Sequence, residues 1–219
     1  MAIVLEAQAD QLIRLFNNTF QESEQTILLA GDHEPVYLPN SNKHEFHRII
    51  FAHGYTRSAL HEIAHWCLAG KVRRQLPDFG YWYAPDGRSP EQQARFEQAE
   101  VHPQAIEWYL SMAANVPFEI SLDNLSGAEP PNRLAFAEAV INKALARAKE
   151  GWPPRAQRFA EVLQGQWRTP SVTYEVFVEQ GARMLAQEKQ RQRNSSYPNA
   201  LSKFTNEQLS QKIEAMGHV

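Results

Sequence analysis

The segment His61-Glu62-Ile63-Ala64-His65 limits the fold of this chain more than any other part of its sequence. In an α-helix, residues four apart lie on one face, one turn above the other, so both imidazoles can bind one ion. Apolar neighbours predict that this helix is buried, and buried histidines cost free energy unless a partner satisfies them. We therefore predict a divalent-metal site, with Glu62 placed to reach a water on the ion. The apolar neighbours are Leu60, Ile63, Ala64, Trp66 and Leu68.

The alternative is that two surface or hydrogen-bonded histidines fall at this spacing by chance. The chain has only eight histidines, so a coincidence inside an apolar helix is less favoured than a metal site. Gly70 is expected just past the end of this helix, as a C′ residue. The positive charges of Lys71, Arg73 and Arg74 then lie beside its negative end, and we interpret them as a solvated helix terminus.

A third ligand is needed, because two imidazoles alone hold an ion poorly. The next long helix can supply a carboxylate, and the candidates there are Glu100, Glu97 and, with less support, His102. The run Glu100–Ala105 resembles the Glu-Ala-Asp-x-x-Ala segment that supplies the glutamate ligand in several glutamate-zincin families. Glu100 is therefore the preferred ligand, with Glu97 as the first alternate or a supporting residue. An ordinary solvated helix face is the simpler interpretation of these carboxylates.

Composition favours one folded domain and excludes several classes of protein. A chain of 219 residues with 43% hydrophobic content can bury one substantial core. The net charge of −3 gives no basic field for direct nucleic-acid binding. The single cysteine, Cys67, excludes an intrachain disulfide, fits a reducing cytoplasm and is expected to be a buried packing residue. The sequence shows neither a basic signal region nor an apolar run of about 20 residues, so we expect no secretion signal and no membrane span.

The pattern of elements predicts an α+β fold. Residues 1–188 are expected to form a single compact domain, with a small sheet of short strands packed against several helices and a zincin-like metal-binding helix. Residues 189–219 are predicted to be a polar, mobile tail. Ser89 and Gln92 form a capping box at the start of the long helix, and Pro103 is expected to kink or restart it. Helices are predicted near 7–20, 56–69, 90–112, 132–149, 154–164 and 173–187, and strands near 26–30, 35–38 and 48–52.

Three further residues are candidates for binding substrate. His53 ends an apolar strand just before the metal helix, where strand ends often line a pocket. Tyr81 and Asp86 belong to an aromatic loop between the two ligand helices, where a pocket wall competes with a simple turn or packing role. His33, His44 and His47 are weaker ligand candidates, and the polar stretch that contains His44 and His47 is interpreted as surface.

Four separated segments together resemble the bacterial elongation factor P hydroxylase family, in the same order along the chain. The resemblance covers roughly residues 12–163. The segments are Arg48–Gly54, His61–Cys67, Asp78–Tyr83 with Pro85–Arg88, and Glu100–Ala105.

This resemblance implies a cytoplasmic enzyme that hydroxylates the β-lysylated lysine of elongation factor P. It implies one divalent ion, Fe(II) more readily than zinc, held by His61, His65 and one of Glu97 or Glu100, with open positions for O₂ and substrate. The motif of 2-oxoglutarate oxygenases is absent, so the electron donor is open. Elongation factor P and O₂ are the expected partners, without direct nucleic-acid or membrane contact. The lysyl arm of the substrate is cationic, so Glu62, Asp78 or Asp86 is expected to line its approach.

Two other classes of function remain compatible with the motif. The first is a small zinc metallopeptidase with the same ligands, in which Glu62 acts as the general base. In a hydroxylase the same Glu62 is a catalytic candidate that contacts a ligand or the cationic lysyl group. The second is a binding module in which the ion is structural.

Overall fold

The computed structural model describes residues 2–80, 87–122 and 132–196. These residues form a helix-rich α+β domain with one small sheet, as the element pattern predicts. The helices are α1 Ala2–Glu24, α2 Thr56–Leu68, α3 Pro90–Ala113, α4 Arg133–Glu150, α5 Pro154–Trp167 and α6 Tyr174–Ser196; the strands are β1 Thr26–Gly31, β2 Val36–Leu38 and β3 His47–Ala52, and short 3₁₀ turns span Arg73–Gln75 and Pro77–Gly80.

The sheet has the order β1-β3-β2, with β1 parallel and β2 antiparallel to β3. The apolar run that predicts an inner strand is therefore the central strand, and Ile49 and Phe51 point into the core. His47 continues the same inward alternation. It is 6% exposed and its Nδ1 accepts a hydrogen bond from the Asn40 amide, so the expectation that it lies on the surface is wrong.

A cluster of aromatic rings holds the apolar face of α2. Trp66 packs edge-on against Phe16 and Phe20 of α1, with ring centroids 5.0 and 4.9 Å apart. Phe159 of α5 packs against Phe16 at 5.5 Å. Buried aromatic pairs contribute about 0.5–1.5 kcal/mol beyond the area that they bury. These contacts leave the opposite face of α2, which carries the histidines, directed toward α3.

The long helix α3 begins as predicted, but Pro103 does not break it. The Ser89 side chain accepts a hydrogen bond from the Gln92 amide, and the Gln92 side chain accepts one from the Ser89 amide. The helix then continues through Pro103 to Ala113. A proline in a helix removes one backbone hydrogen bond, but α3 packs against α2, α4 and α5, and this burial offsets the loss.

Helix α6 extends to Ser196, eight residues beyond the predicted domain boundary at residue 188. Glu188 itself is 6% exposed and accepts hydrogen bonds from the Arg133 guanidinium at 3.1 and 3.2 Å. The remainder of the predicted tail, residues 197–219, lies outside the described residues. In the part of the chain that is described, no helix is both long and apolar enough to cross a membrane.

The C-terminus of α2 is capped by a side chain from another helix. The Arg155 guanidinium of α5 donates hydrogen bonds to the carbonyl oxygens of Cys67, at 3.2 Å, and Ala69, and it lies 4.4 Å from the Trp66 ring centroid. Gly70 does not adopt the left-handed backbone of a glycine cap. Arg74 is also not simply solvated, because it pairs with Glu24 at 2.7 Å. The end of α2 was expected to be capped by residues that follow it directly. Arg155, which lies 86 positions after Ala69, caps it instead.

Arg155→Met is expected to lower the free energy of unfolding by about 1–3 kcal/mol, because buried carbonyl groups at the end of α2 would lose their donor. Urea denaturation followed by circular dichroism measures the change. Arg158→Met is the matched control, since Arg158 lies exposed on the same helix and should change stability by less than about 0.5 kcal/mol. Equal effects of the two substitutions would contradict the capping role.

Candidate metal centre

One face of α3 carries a row of buried polar side chains. Their spacings of seven, four, three and four residues keep them on one side of the helix. His61 contacts Glu107, and His65, one turn later in α2, contacts Glu100, which lies earlier in α3. The two helices therefore run antiparallel at this point. Two members of the polar row, Glu100 and Glu107, therefore contact the histidines of α2. Its members are Gln93, Glu100, Gln104, Glu107 and Ser111.

The side chains of His61, His65 and Glu100 converge at one point between the helices. The Nε2 atoms of the two histidines are 3.1 Å apart. Glu100 places Oε1 3.2 Å from the Nε2 of His65 and Oε2 3.5 Å from the Nε2 of His61. Each residue thus offers one ligand atom, and these atoms all lie within 4.8 Å of one another.

These separations suit a small divalent cation. With metal–ligand bonds of about 2.1 Å, two donors are about 3.0 Å apart at a right angle and about 3.4 Å apart at a tetrahedral angle. The observed separations of 3.1, 3.2 and 3.5 Å cover that range. Two imidazoles and one carboxylate are a donor set that zinc and non-haem iron both accept. The residues present therefore fit an ion.

Glu100 is held in place from the opposite side of the ion position. Gln104 donates from Nε2 to the Ser121 carbonyl at 2.7 Å and accepts from the Ser121 amide at 3.0 Å. The same Nε2 lies 3.5 Å from Oε2 of Glu100. Burial acts to raise the pKa of Glu100, but the charges and hydrogen bonds of His65, His61 and Gln104 outweigh it and lower the pKa to about 2. The carboxylate is therefore ionised and ready to bind a cation.

Glu107 is a part of the site that the sequence motifs do not identify. Its Oε2 lies 2.8 Å from Nδ1 of His61, on the side of the ring away from the converging donors. Burial acts to lower the pKa of His61, but the hydrogen bond and charge of Glu107, with smaller contributions from Glu100 and Glu62, raise it to about 10. The sequence feature that could identify Glu107 is its helical spacing. It lies seven residues after Glu100 and three after Gln104, and therefore on the same face of α3.

Glu62 lies beside the converging donors. Burial raises the pKa of its carboxyl group; His61 and His65 oppose this rise, and the negative charges of Glu100 and Asp78 add to it. Asp78 is positioned by its Oδ1, which accepts a hydrogen bond from the Tyr37 amide at 2.8 Å. Asp78 also has a left-handed backbone with φ of 47°, which costs free energy for a non-glycine residue. The charge of Asp78 thus acts on Glu62.

The two alternate third ligands lie elsewhere. Glu97 accepts a hydrogen bond at 3.0 Å from Gln93, whose side-chain oxygen accepts one at 2.8 Å from Arg88. His102 faces α4, where burial and the charges of Arg147 and Lys143 lower its pKa to about 4. Neither residue belongs to the converging group.

Among the substrate-binding candidates, His53 lies in the described part of the chain, and no contact given for it reaches the donors. His53 is exposed at the end of β3, and its ring lies 5.7 Å from that of Tyr55. Its φ of 51° is left-handed, and its amide donates to the Gly31 carbonyl at 2.8 Å. Tyr81 and Asp86 lie outside the described residues. Cys67 is buried, as expected of a packing residue.

The fold and the donor set together define a compact α+β protein with a candidate two-histidine, one-carboxylate metal centre between two helices. Residues 15–177 match the protein family described as elongation factor P hydroxylase. The chain is also 45% identical to the elongation factor P lysine hydroxylase of Haemophilus influenzae. The 165 aligned residues cover 75% of this chain and 92% of that protein. The chain therefore belongs to the elongation factor P hydroxylase family, as its four motifs predict.

Glu100→Gln is expected to weaken metal binding by more than the roughly 10- to 100-fold typical of a supporting residue, because it removes the anionic donor. Glu97→Gln makes the same chemical change one turn earlier on α3 and should leave binding unchanged. Competition with a chromophoric chelator, using Zn(II) in air and Fe(II) without oxygen, measures both. The opposite ranking would make Glu97 the third ligand.

The lowered pKa of His102, which faces α4, predicts a pH dependence of the stability. Its pKa of about 4 lies below the ordinary value of 6.5, so the unfolded chain binds more protons between these values. The folded state should therefore lose stability as the pH falls from 6.5 to about 4, by up to about 1–2 kcal/mol for this partly exposed ring. His102→Gln should reduce this loss in urea denaturation at the two pH values. His33→Gln, at an exposed position, should retain it.

Proposed function

We propose that this protein is a metal- and O₂-dependent hydroxylase that acts on the β-lysylated lysine of elongation factor P. The observation that carries the proposal is the convergence of His61, His65 and Glu100 in a chain that belongs to a family of elongation factor P hydroxylases. In this proposal α2 acts as a zincin-like metal-binding helix. The reducing environment suggested by a single cysteine supports action in the cytoplasm, where translation factors are found.

Fe(II) is the ion that best combines this donor set with hydroxylation. Two imidazoles and one carboxylate on one side of an ion are the ligands of non-haem Fe(II) oxygenases, and a bound Fe(II) would supply the activation of O₂. Hydroxylation inserts one oxygen atom into a C–H bond. The second atom leaves as water if two electrons and two protons come from an external donor, whose identity is open.

The protein's own residues would set the charge of the site. With neutral imidazoles, the carboxylates of Glu62, Glu100 and Glu107 carry one more negative charge than a divalent ion neutralises. A lysyl ammonium group would supply the missing positive charge, and its presence would favour the ionised form of Glu62. Asp78 extends the same negative edge. We therefore propose that Glu62 orients the cationic arm of the substrate and that Asp78 assists it.

The buried position of the donors would serve the same chemistry. The side chains of Glu100, His65 and His61 are 4%, 15% and 25% exposed, so the site opens on the side of His61. We propose that the lysyl side chain of the substrate enters on this side. Exclusion of water around a reactive centre also limits side reactions. His53, Tyr81 and Asp86 remain proposed contacts for the incoming factor.

The two catalytic hypotheses predict different origins for the oxygen that is added. Protein reconstituted anaerobically with Fe(II) is mixed with β-lysylated elongation factor P, a chemical reductant and isotopically labelled O₂. We expect intact factor to gain the mass of one labelled oxygen atom, detected by mass spectrometry. A zinc peptidase would instead shorten the factor and take oxygen from water. An unlabelled or unmodified full-length factor would contradict the proposal.

Glu62→Gln is expected to retain the metal but to raise KM for the modified factor, because the amide cannot pair with an ammonium group. The cost of losing one charge-assisted hydrogen bond is about 1.5–3 kcal/mol, or roughly 10- to 150-fold in kcat/KM. Glu138→Gln, at an exposed position on α4, is the control. A fall in kcat alone, with KM unchanged, would assign Glu62 to the chemical step and not to binding.

A further inference from the structure

We infer that Glu107 is a positioning residue, which holds His61 in the tautomer and orientation that present its Nε2 to the ion. This inference rests on the proposed metal site and assigns a role to a residue outside the donor set. The row of polar residues on α3 would then contribute to the site in two ways. Glu100 would bind the ion directly, and Glu107 would hold the ligand His61.

Both nitrogens of the His61 ring have defined neighbours. Nδ1 lies 2.8 Å from Oε2 of Glu107, a distance typical of a charge-assisted hydrogen bond. Nε2 lies 3.1 Å from the Nε2 of His65 and 3.5 Å from Oε2 of Glu100. An ionised carboxylate accepts hydrogen bonds and does not donate them, so the proton of a metal-binding His61 must be on Nδ1, which donates to Glu107. Nε2 then keeps the lone pair that a cation requires.

The burial of Glu107 costs desolvation free energy unless a partner compensates its charge. Its side chain is 6% exposed, and an isolated carboxylate at such a position carries a large desolvation penalty. Among the described contacts, His61 is the cation or donor that lies within hydrogen-bond distance of it. Hydrogen bonding from an imidazole to a carboxylate also makes the opposite nitrogen a stronger ligand. The pairing thus satisfies Glu107 and strengthens Nε2 together.

The two histidines are supported unequally. His65 contributes its Nε2 to the donor cluster, but within the described residues only His61 has a carboxylate on its outer nitrogen. His61 is also the more exposed of the two, with 25% of its side chain accessible against 15% for His65. The imidazole with more freedom to rotate is therefore the one that Glu107 holds.

Glu107→Gln tests this role, because the amide has nearly the same shape but carries no charge. We expect its affinity for Zn(II), measured by competition with a chromophoric chelator, to fall roughly 10- to 100-fold. Glu97→Gln is the matched control on the same helix and should bind Zn(II) like the unsubstituted protein. Co(II) provides a second readout, because a reoriented His61 should change the visible absorption bands of the bound ion in Glu107→Gln and leave them unchanged in Glu97→Gln.

Glu107→Asp keeps the charge on a shorter side chain and provides a second variant if the amide does not fold. It should lower the Zn(II) affinity less than Glu107→Gln does. If Glu107→Gln does not fold, Glu107→Ala takes its place in this comparison. Zn(II) affinities within about twofold of the unsubstituted protein for both variants, together with lower thermal stability, would show a purely structural ion pair and overturn the inference. Failure of the metal site itself has a different signature, in which His65→Ala and Glu100→Gln also leave Zn(II) binding intact.

Discussion

Buried negative charge is the constraint on which this structure depends. Glu100 and Glu107 are 3% and 5% exposed on the face of α3 that packs against α2. Two carboxylates in a protein interior are unfavourable unless positive charge lies near them. The imidazole of His61 contacts both carboxylates, and a divalent ion bound to its Nε2 would supply the neutralising charge. The contact between α2 and α3 is therefore electrostatic at its centre and apolar on its outer sides.

The rest of the domain keeps this contact in register. The aromatic cluster around Trp66 fixes the back of α2, and Arg155 closes its C-terminus from α5. Gln104 ties α3 to the backbone of Ser121. All three candidate ligands thus belong to regular helices and not to loops, an arrangement that gives a site more precise geometry. Asp78 and His53, both with left-handed backbone, lie in a turn and at a strand end.

Much of the fold and the core of the candidate site follow from local patterns in the sequence. Helical spacing places His61 and His65 on one face, and the strand patterns predict the sheet. Glu107 has the helical spacing of Glu100 and Gln104, but its contact with His61 could not be predicted in this way, because the two residues are 46 positions apart. Arg155 is missed for the same reason. The surface interpretation of His47 failed because its polar neighbours hide the inward alternation of β3. A restart of the helix at Pro103, one of the two expected outcomes beside a kink, does not occur, because α3 is continuous through this residue.

The antiparallel contact of α2 and α3 has a consequence for folding. Because the donors come from two helices that are 21 residues apart along the chain (69–89), an ion bound to all of them would act as a removable cross-link. An ion that binds only the folded chain adds RT ln(1 + [ion]/Kd) to its stability. Metal supply in the cell would then govern how long each molecule survives as well as whether it is active. The metal-free form would then be the one most exposed to proteolysis.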